Sequence, residues 1–232
     1  LKGLKSKGEN KTYYVAPNEG KLTLSSKTPK DGYEKREFTD KDGNTVVKYL
    51  LEFDELTVML ADAKAEETKF GKRWSVKGIN EDEVYFLQFP YSSGYSRSFF
   101  NQLENIDLTK PVTITASYKE QEYQGKMVPN TALWVHQNGN WVGFKYSKEN
   151  PGDRPAWKTI QVKGKDQQDD SDIQKFYENV ATRLFNELKL NNDKQAASDF
   201  FSSEIDGSEV NIPEGSNQTD FIDLPEDDGL PF

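Results

Sequence analysis

Residues 131–147 read TALWVHQNGNWVGFKYS, and this stretch decides the fold. Asn138-Gly139 is a favoured pair for a two-residue type I′ hairpin turn, because both central residues need positive φ. With that turn, Gln137 pairs with Asn140, His136 with Trp141, Val135 with Val142 and Leu133 with Phe144. Side chains alternate across a strand. Leu133, Val135, Val142 and Phe144 therefore share an apolar core face, while Trp134, His136, Trp141 and Lys145 share the other. Two indoles, an imidazole and an ammonium facing outward mark the hairpin as a candidate binding surface.

Upstream, the period-two pattern recurs. KTYYVA (11–16) and KLTLSS (21–26) flank a turn at Pro17–Gly20. TVVKYLLEFDELTVMLADA (45–63) is β-branched and aromatic, with Val47, Tyr49, Leu51 and Phe53 alternating. KRWSVKGI (72–79) and EVYFLQFPY (83–91) follow, separated by Asn80 to Asp82. In YSSGYSRSFFNQLENIDLTKP (91–111), Ser96 is placed to cap a short helix presenting Phe99, Phe100, Leu103 and Ile106, closed by Asp107 and Pro111. PVTITASY (111–118) resumes strand periodicity. DKDGNT (40–45) lacks the closing glutamate of a calcium loop and reads as a hairpin turn. The polar KGKDQQDDSD (163–172) reads as a linker before SDIQKFYENVATRLFNELKL (171–190). There Ser171 and Gln174 have capping-box spacing, and Ile173, Phe176, Tyr177, Val180, Ala181, Leu184, Phe185 and Leu188 form one apolar stripe.

These elements predict a mainly β chain. Residues 1–190 form an OB-fold-like barrel with a short helix inserted between its third and fourth main strands, ending in the amphipathic helix 171–190. Residues 191–232 form a disordered acidic tail, being poor in apolar residues and carrying nearly one sign of charge. OB-folds commonly hold oligonucleotides on an open face. The 171–190 helix either plugs the barrel end or pairs with a second copy to make a homodimer.

The charge is divided unevenly. Net charge is -9, from 30 basic and 39 acidic residues. Residues 195–232 hold ten of the acidic residues and no Lys or Arg, so residues 1–194 carry 29 acidic against 30 basic, a net of +1. A near-neutral body bears a polyanionic appendage. With no cysteine there is no disulfide framework or thiolate chemistry. No apolar run reaches the roughly 20 residues that span a bilayer, and LKGLKSKGEN (1–10) lacks a signal-peptide core, so the expectation is a cytoplasmic protein with no membrane partner. There is one histidine, no glycine-rich phosphate loop and no His-Glu-x-x-His motif. The reading is a binding protein, not an enzyme, with no cofactor and no metal.

A sequence-blind binder of single-stranded DNA needs aromatic planes for bases to stack on and cations along the backbone path. Aromatic and basic residues adjoin repeatedly: Lys72, Arg73 and Trp74; Tyr91, Tyr95 and Arg97; Trp134, His136, Trp141 and Lys145; Trp157 and Lys158. Ser and Gly around Tyr95 and Arg97 would suit a loop that closes on a strand.

The chain finishes EDDGLPF (226–232). A terminal phenyl ring on an anionic leash is a bait for an apolar pocket with a basic rim. This ending resembles the C-terminal tip of bacterial single-stranded DNA-binding proteins, which typically end Asp-Asp-Asp-Ile-Pro-Phe after a disordered spacer. Asp227, Asp228, Pro231 and Phe232 match. Gly229 stands where the third Asp would be, and Leu230 replaces Ile. With the barrel pattern upstream, the chain is similar to the divergent single-stranded DNA-binding proteins of bacteriophages, including T7-like phages. The resemblance implies sequence-nonspecific binding in DNA replication and recombination in the host cytoplasm. It also implies a tail that competes with DNA and recruits a DNA polymerase, helicase-primase or nuclease. Two alternatives are a decoy that displays the tip to titrate host proteins and a single-strand annealing mediator. A carbohydrate-binding module would share the aromatic face but leave the tail unexplained.

Overall fold

The computed structural model describes residues 11–39, 43–123, 125–162 and 165–205. By compactness the chain divides into residues 1–192 and residues 193–232. The tail tip, Asp227, Asp228, Leu230, Pro231 and Phe232, lies outside the described residues.

The first unit is mainly β. The opening hairpin joins β1 (Lys11–Asn18) and β2 (Lys21–Ser26) through Glu19 and Gly20, both at positive φ. Next come β3 (Glu34–Thr39) and β4 (Thr45–Phe53), an antiparallel pair as DKDGNT foretold. The long apolar run then breaks at Asp54, and β5 (Glu55–Thr68) begins on the other side of it. Completing the main sheet are β6 (Gly71–Asn80), β7 (Glu83–Pro90), β8 (Val112–Tyr123), β9 (Lys126–Gln137) and the two-residue β10 (Asn140–Trp141). Between β7 and β8 lies α1 (Gly94–Leu103). A separate hairpin pairs β11 (Lys158–Val162) with β12 (Lys165–Asp169), ahead of α2 (Ser171–Ile205).

The ten strands run in the order β10-β9-β8-β5-β6-β7-β1-β2-β4-β3. The pairing of β1 with β7 is parallel and the others are antiparallel. The sheet curls until β2 packs on β5 and β8, and the Gly20 turn lies against the backbone of Tyr118. Inside the curl sit Val15, Leu22, Val58, Leu60, Val76, Leu87, Ile114, Leu133 and Val135, all buried. Their burial contributes roughly 1.5–3 kcal/mol per side chain.

Among the described residues no pairing closes this sheet into a barrel. The physical reason is α1, which lies along β9 and takes its backbone groups. Gln102 donates to Leu133 O at 2.9 Å and accepts from Val135 N at 2.9 Å, and Ser98 Oγ accepts from Leu133 N at 2.8 Å. A helix thus satisfies polar groups that a closing strand would otherwise have to pair. The approach is tight at Gly94, where a Cβ would stand 2.1 Å from Thr131 O.

Five sequence expectations need correction. The cap of α1 is Ser93, not Ser96; the two hydroxyls form a capping box, with Ser96 as its third helical residue. YSSGYSRS is therefore the entry and first turns of a buried helix, not a mobile loop. Within KGKDQQDDSD, Lys165–Asp169 is strand β12 and not linker. Gln174 caps no Ser171: its amide donates to Asp170 at 3.0 Å and its carbonyl accepts from Trp74 Nε1 at 3.3 Å. Finally, α2 continues to Ile205 instead of ending near residue 190.

Candidate functional site

The 131–147 hairpin forms as its turn chemistry requires. Asn138 and Gly139 take φ of 53° and 76°, and Gln137 and His136 face Asn140 and Trp141. Val142 N donates to Val135 O at 2.8 Å, which buries Val142 beside the core. There the strand stops. Asn101 of α1 clamps Tyr146, its Nδ2 donating to Tyr146 O at 2.8 Å and its Oδ1 accepting from Tyr146 N at 2.7 Å. Lys145 N donates to Asn101 O, and Asn105 Nδ2 donates to Gly143 O. Pulled onto the helix, the 143–146 segment leaves the alternation, and Phe144 emerges on the outward side instead of in the core.

The result is a cluster of three rings. Trp134 and Phe144 stack at 5.7 Å and 28°; Trp141 meets both edge-on, at 6.0 and 5.8 Å. Trp134 is fixed by its Nε1–H, which donates to Ser117 Oγ at 3.0 Å. Trp141 keeps 52% of its surface exposed. Beside the rings runs an open groove of about 480 Å³ lined by Glu55, Thr57, Thr113, Thr115, His136 and Asn138 among others. Thr57 and Thr113 share a hydroxyl hydrogen bond of 2.8 Å on its floor. Lys145 is exposed and has no ion-pair partner among the described residues.

The remaining sequence candidates do not join this face. Trp74 is 1% exposed, packed on Phe100 and Tyr91, and Tyr95 is buried, so neither offers a plane to a base. Lys72 sits 4.2 Å over the Tyr91 ring and pairs with Glu178; Arg73 pairs with Glu66. Burial would raise the Glu178 carboxyl, but its bonds to Lys72 and Tyr91 outweigh that and hold it low. Burial, then the bond to Glu178, pushes the Tyr91 phenol up. Arg97 pairs with Asp170 at 3.1 Å and lies 5.1 Å from the Trp157 ring; Lys158 pairs with Asp172. Trp157 is exposed, but the cations around it are already matched by carboxylates.

The chain matches no family model, no curated protein and no solved structure.

A second platform escaped the sequence reading. Tyr14 is 60% exposed and stacks on Phe86 at 5.4 Å and 17°. Register puts it on the same face of the sheet as His136, through Thr113, Thr57, Met59, Ile79 and Val84 in turn. Lys77 lies across from Phe86 and, like Lys119 on β8, has no ion-pair partner among the described residues. The available signal was strand parity in KTYYVA, which sends Tyr13 inward and Tyr14 outward. Among the described residues no group of His, Asp or Glu side chains is arranged to hold a metal, and no helix is long and apolar enough to cross a membrane.

Proposed function

We propose that the outward face of β8, β9 and β10 binds single-stranded DNA without sequence preference, as a replication or recombination accessory of the phage type. The observation that carries this reading is the solvent-facing trio Trp134, Trp141 and Phe144, held by hydrogen bonds to Ser117 and α1. Rings already fixed in place lose little freedom when a base stacks on them. Support comes from the arrangement of β5 to β9 with α1 between the third and fourth of them, which is that of an OB-fold opened along the β9 edge. Further support comes from the neutral body joined to an acidic segment that carries EDDGLPF. In this reading that segment recruits a polymerase, helicase-primase or nuclease.

The test is a titration of the full chain with oligo(dT), followed by Trp emission and by anisotropy of a labelled strand. Binding with quenched emission is expected, and Trp141→Ala weakens it roughly 5- to 150-fold, the worth of one stacked base. Oligonucleotides that leave emission and anisotropy unchanged at low salt refute the reading.

A carbohydrate-binding reading has one observation in its favour: the groove beside the rings is lined by threonine hydroxyls, His136, Asn138 and Glu55 rather than by cations. It predicts salt-insensitive binding of oligosaccharides and no response to oligo(dT).

A further inference from the structure

The curl of the sheet leaves a second feature. Between its two arms lies a cavity of about 520 Å³. Leu22 and Phe53 stand on one wall, from β2 and β4; Leu56, Asn80 and Tyr85 stand on the other, from β5, β6 and β7. That volume is about three times the roughly 150 Å³ that admits a benzene ring and falls within the roughly 300–1,000 Å³ of small-molecule sites. Apolar walls with a few polar groups at one end are the usual lining of such sites.

The polar groups are a carboxylate, phenols, a hydroxyl and an amide, with no cation among them. Glu55, at the mouth, is the single charged residue of the lining, and it has no ion-pair partner among the described residues. A second carboxylate, Glu83, accepts hydrogen bonds from the hydroxyls of both Tyr13 and Tyr85, whose rings stack at 5.2 Å. Burial, then the bond to Glu83, pushes the Tyr85 phenol up to about 12, so it stays neutral. The exposed side-chain amide of Asn80 has no hydrogen-bond partner among the described residues. Aromatic faces and a free carboxylate attract cations, and the same groups repel phosphate and carboxylate ligands.

We infer that this cavity binds a small organic cation, an ammonium group on an aromatic or branched aliphatic body. The body lies among Leu22, Phe53 and Leu56, and the ammonium stays at the mouth beside Glu55 and the tyrosine rings. This site adjoins the groove beside the proposed DNA face, since Glu55 and Thr57 line both, but it does not rest on that reading.

The experiment compares three probes of one shape on the full chain: 2-phenylethylammonium, neutral 2-phenylethanol and anionic 3-phenylpropionate. Amide chemical shifts of Leu22, Asn80 and Tyr85 are followed in ¹⁵N-labelled protein. The expected result is movement of those amides with the amine, about tenfold weaker binding of the alcohol, and none of the acid. Glu55→Gln, a change at the exposed mouth, brings the amine to within about threefold of the alcohol and leaves the alcohol unchanged. Absence of shifts at the three amides, or equal binding of amine and acid, overturns the assignment. So does a Glu55→Gln protein that keeps the full preference for the amine. Oligo(dT) binding is read from Trp emission on the same samples, so either site fails without taking the other with it.

Discussion

Gln102 is fully buried, yet each end of its amide has work to do. Its Nε2 donates to Ser98 O and Leu133 O, and its Oε1 accepts from Val135 N. Replacing it with Met, a side chain of similar volume, leaves the Val135 N–H and the Leu133 C=O buried without partners. Each orphaned group costs about 1–3 kcal/mol. Urea denaturation of Gln102→Met is therefore expected to show a loss of about 2–6 kcal/mol with an unchanged slope. A loss below 0.5 kcal/mol, within the ordinary range of roughly ±0.5 for surface changes, would mean that α1 does not seal β9. Sequence periodicity places the Phe99, Phe100 and Leu103 stripe correctly, because apolar spacing reports a buried helix face. It is silent on Gln102 and Asn101, since a polar side chain shows its partner only when the fold brings the backbone to it.

At the scale of elements, the β9–β10 hairpin was legible because Asn138-Gly139 imposes its own φ angles whatever surrounds it. Phe144 was not, because the clamp of Asn101 and Asn105 ends the strand after Trp141 and only then does parity fail. β12 stayed hidden for a different reason: KGKDQQDDSD has no apolar alternation to betray a strand. The turn after α1 ties these elements together, since Asp107 N donates to Gln137 Oε1 at 3.0 Å and Gln137 Nε2 donates to Asp107 O at 2.8 Å. Lys110, followed by the hydroxyl and amide of Thr109, holds the Asp107 carboxyl down at about 2, from an ordinary 3.8. A depressed carboxyl stabilises the fold fully above the unfolded value and ceases to do so as pH falls through the folded one. The contribution is thus expected to disappear between pH 3.8 and about 2. Carbonyl-detected NMR should find an Asp107 midpoint near 2, and Asp107→Asn should remove that part of the acid sensitivity. A midpoint at the ordinary value would show that the Lys110 contact is absent in solution.

For the whole molecule, charge is the quantity that sequence and structure read differently. Counting residues makes the body of 1–194 almost neutral, with 30 cations for an anionic strand to meet. Folding withdraws many of them: Lys72, Arg73, Arg97 and Lys158 pair with Glu178, Glu66, Asp170 and Asp172, and Lys21, Lys35, Lys64, Lys110 and Arg183 are matched likewise. On the outward face that carries the rings, Lys77 and Lys119 remain without such partners among the described residues, and so does the exposed Lys145 next to Phe144. A single strand that neutralises about three phosphates there should show log Kobs falling against log salt with a slope of about -2, since each contact contributes roughly -0.7. Stacking must then supply most of the affinity, which makes the ring variants more damaging than the lysine variants at physiological salt. Anisotropy titrations of the full chain with oligo(dT) between low and physiological salt measure that slope, and Lys145→Ala should reduce it by about 0.7 without abolishing binding. A slope near zero would hand the face to the carbohydrate reading. A slope beyond about -5 would require some seven phosphate contacts, more than this face offers, and would move the DNA path elsewhere on the body.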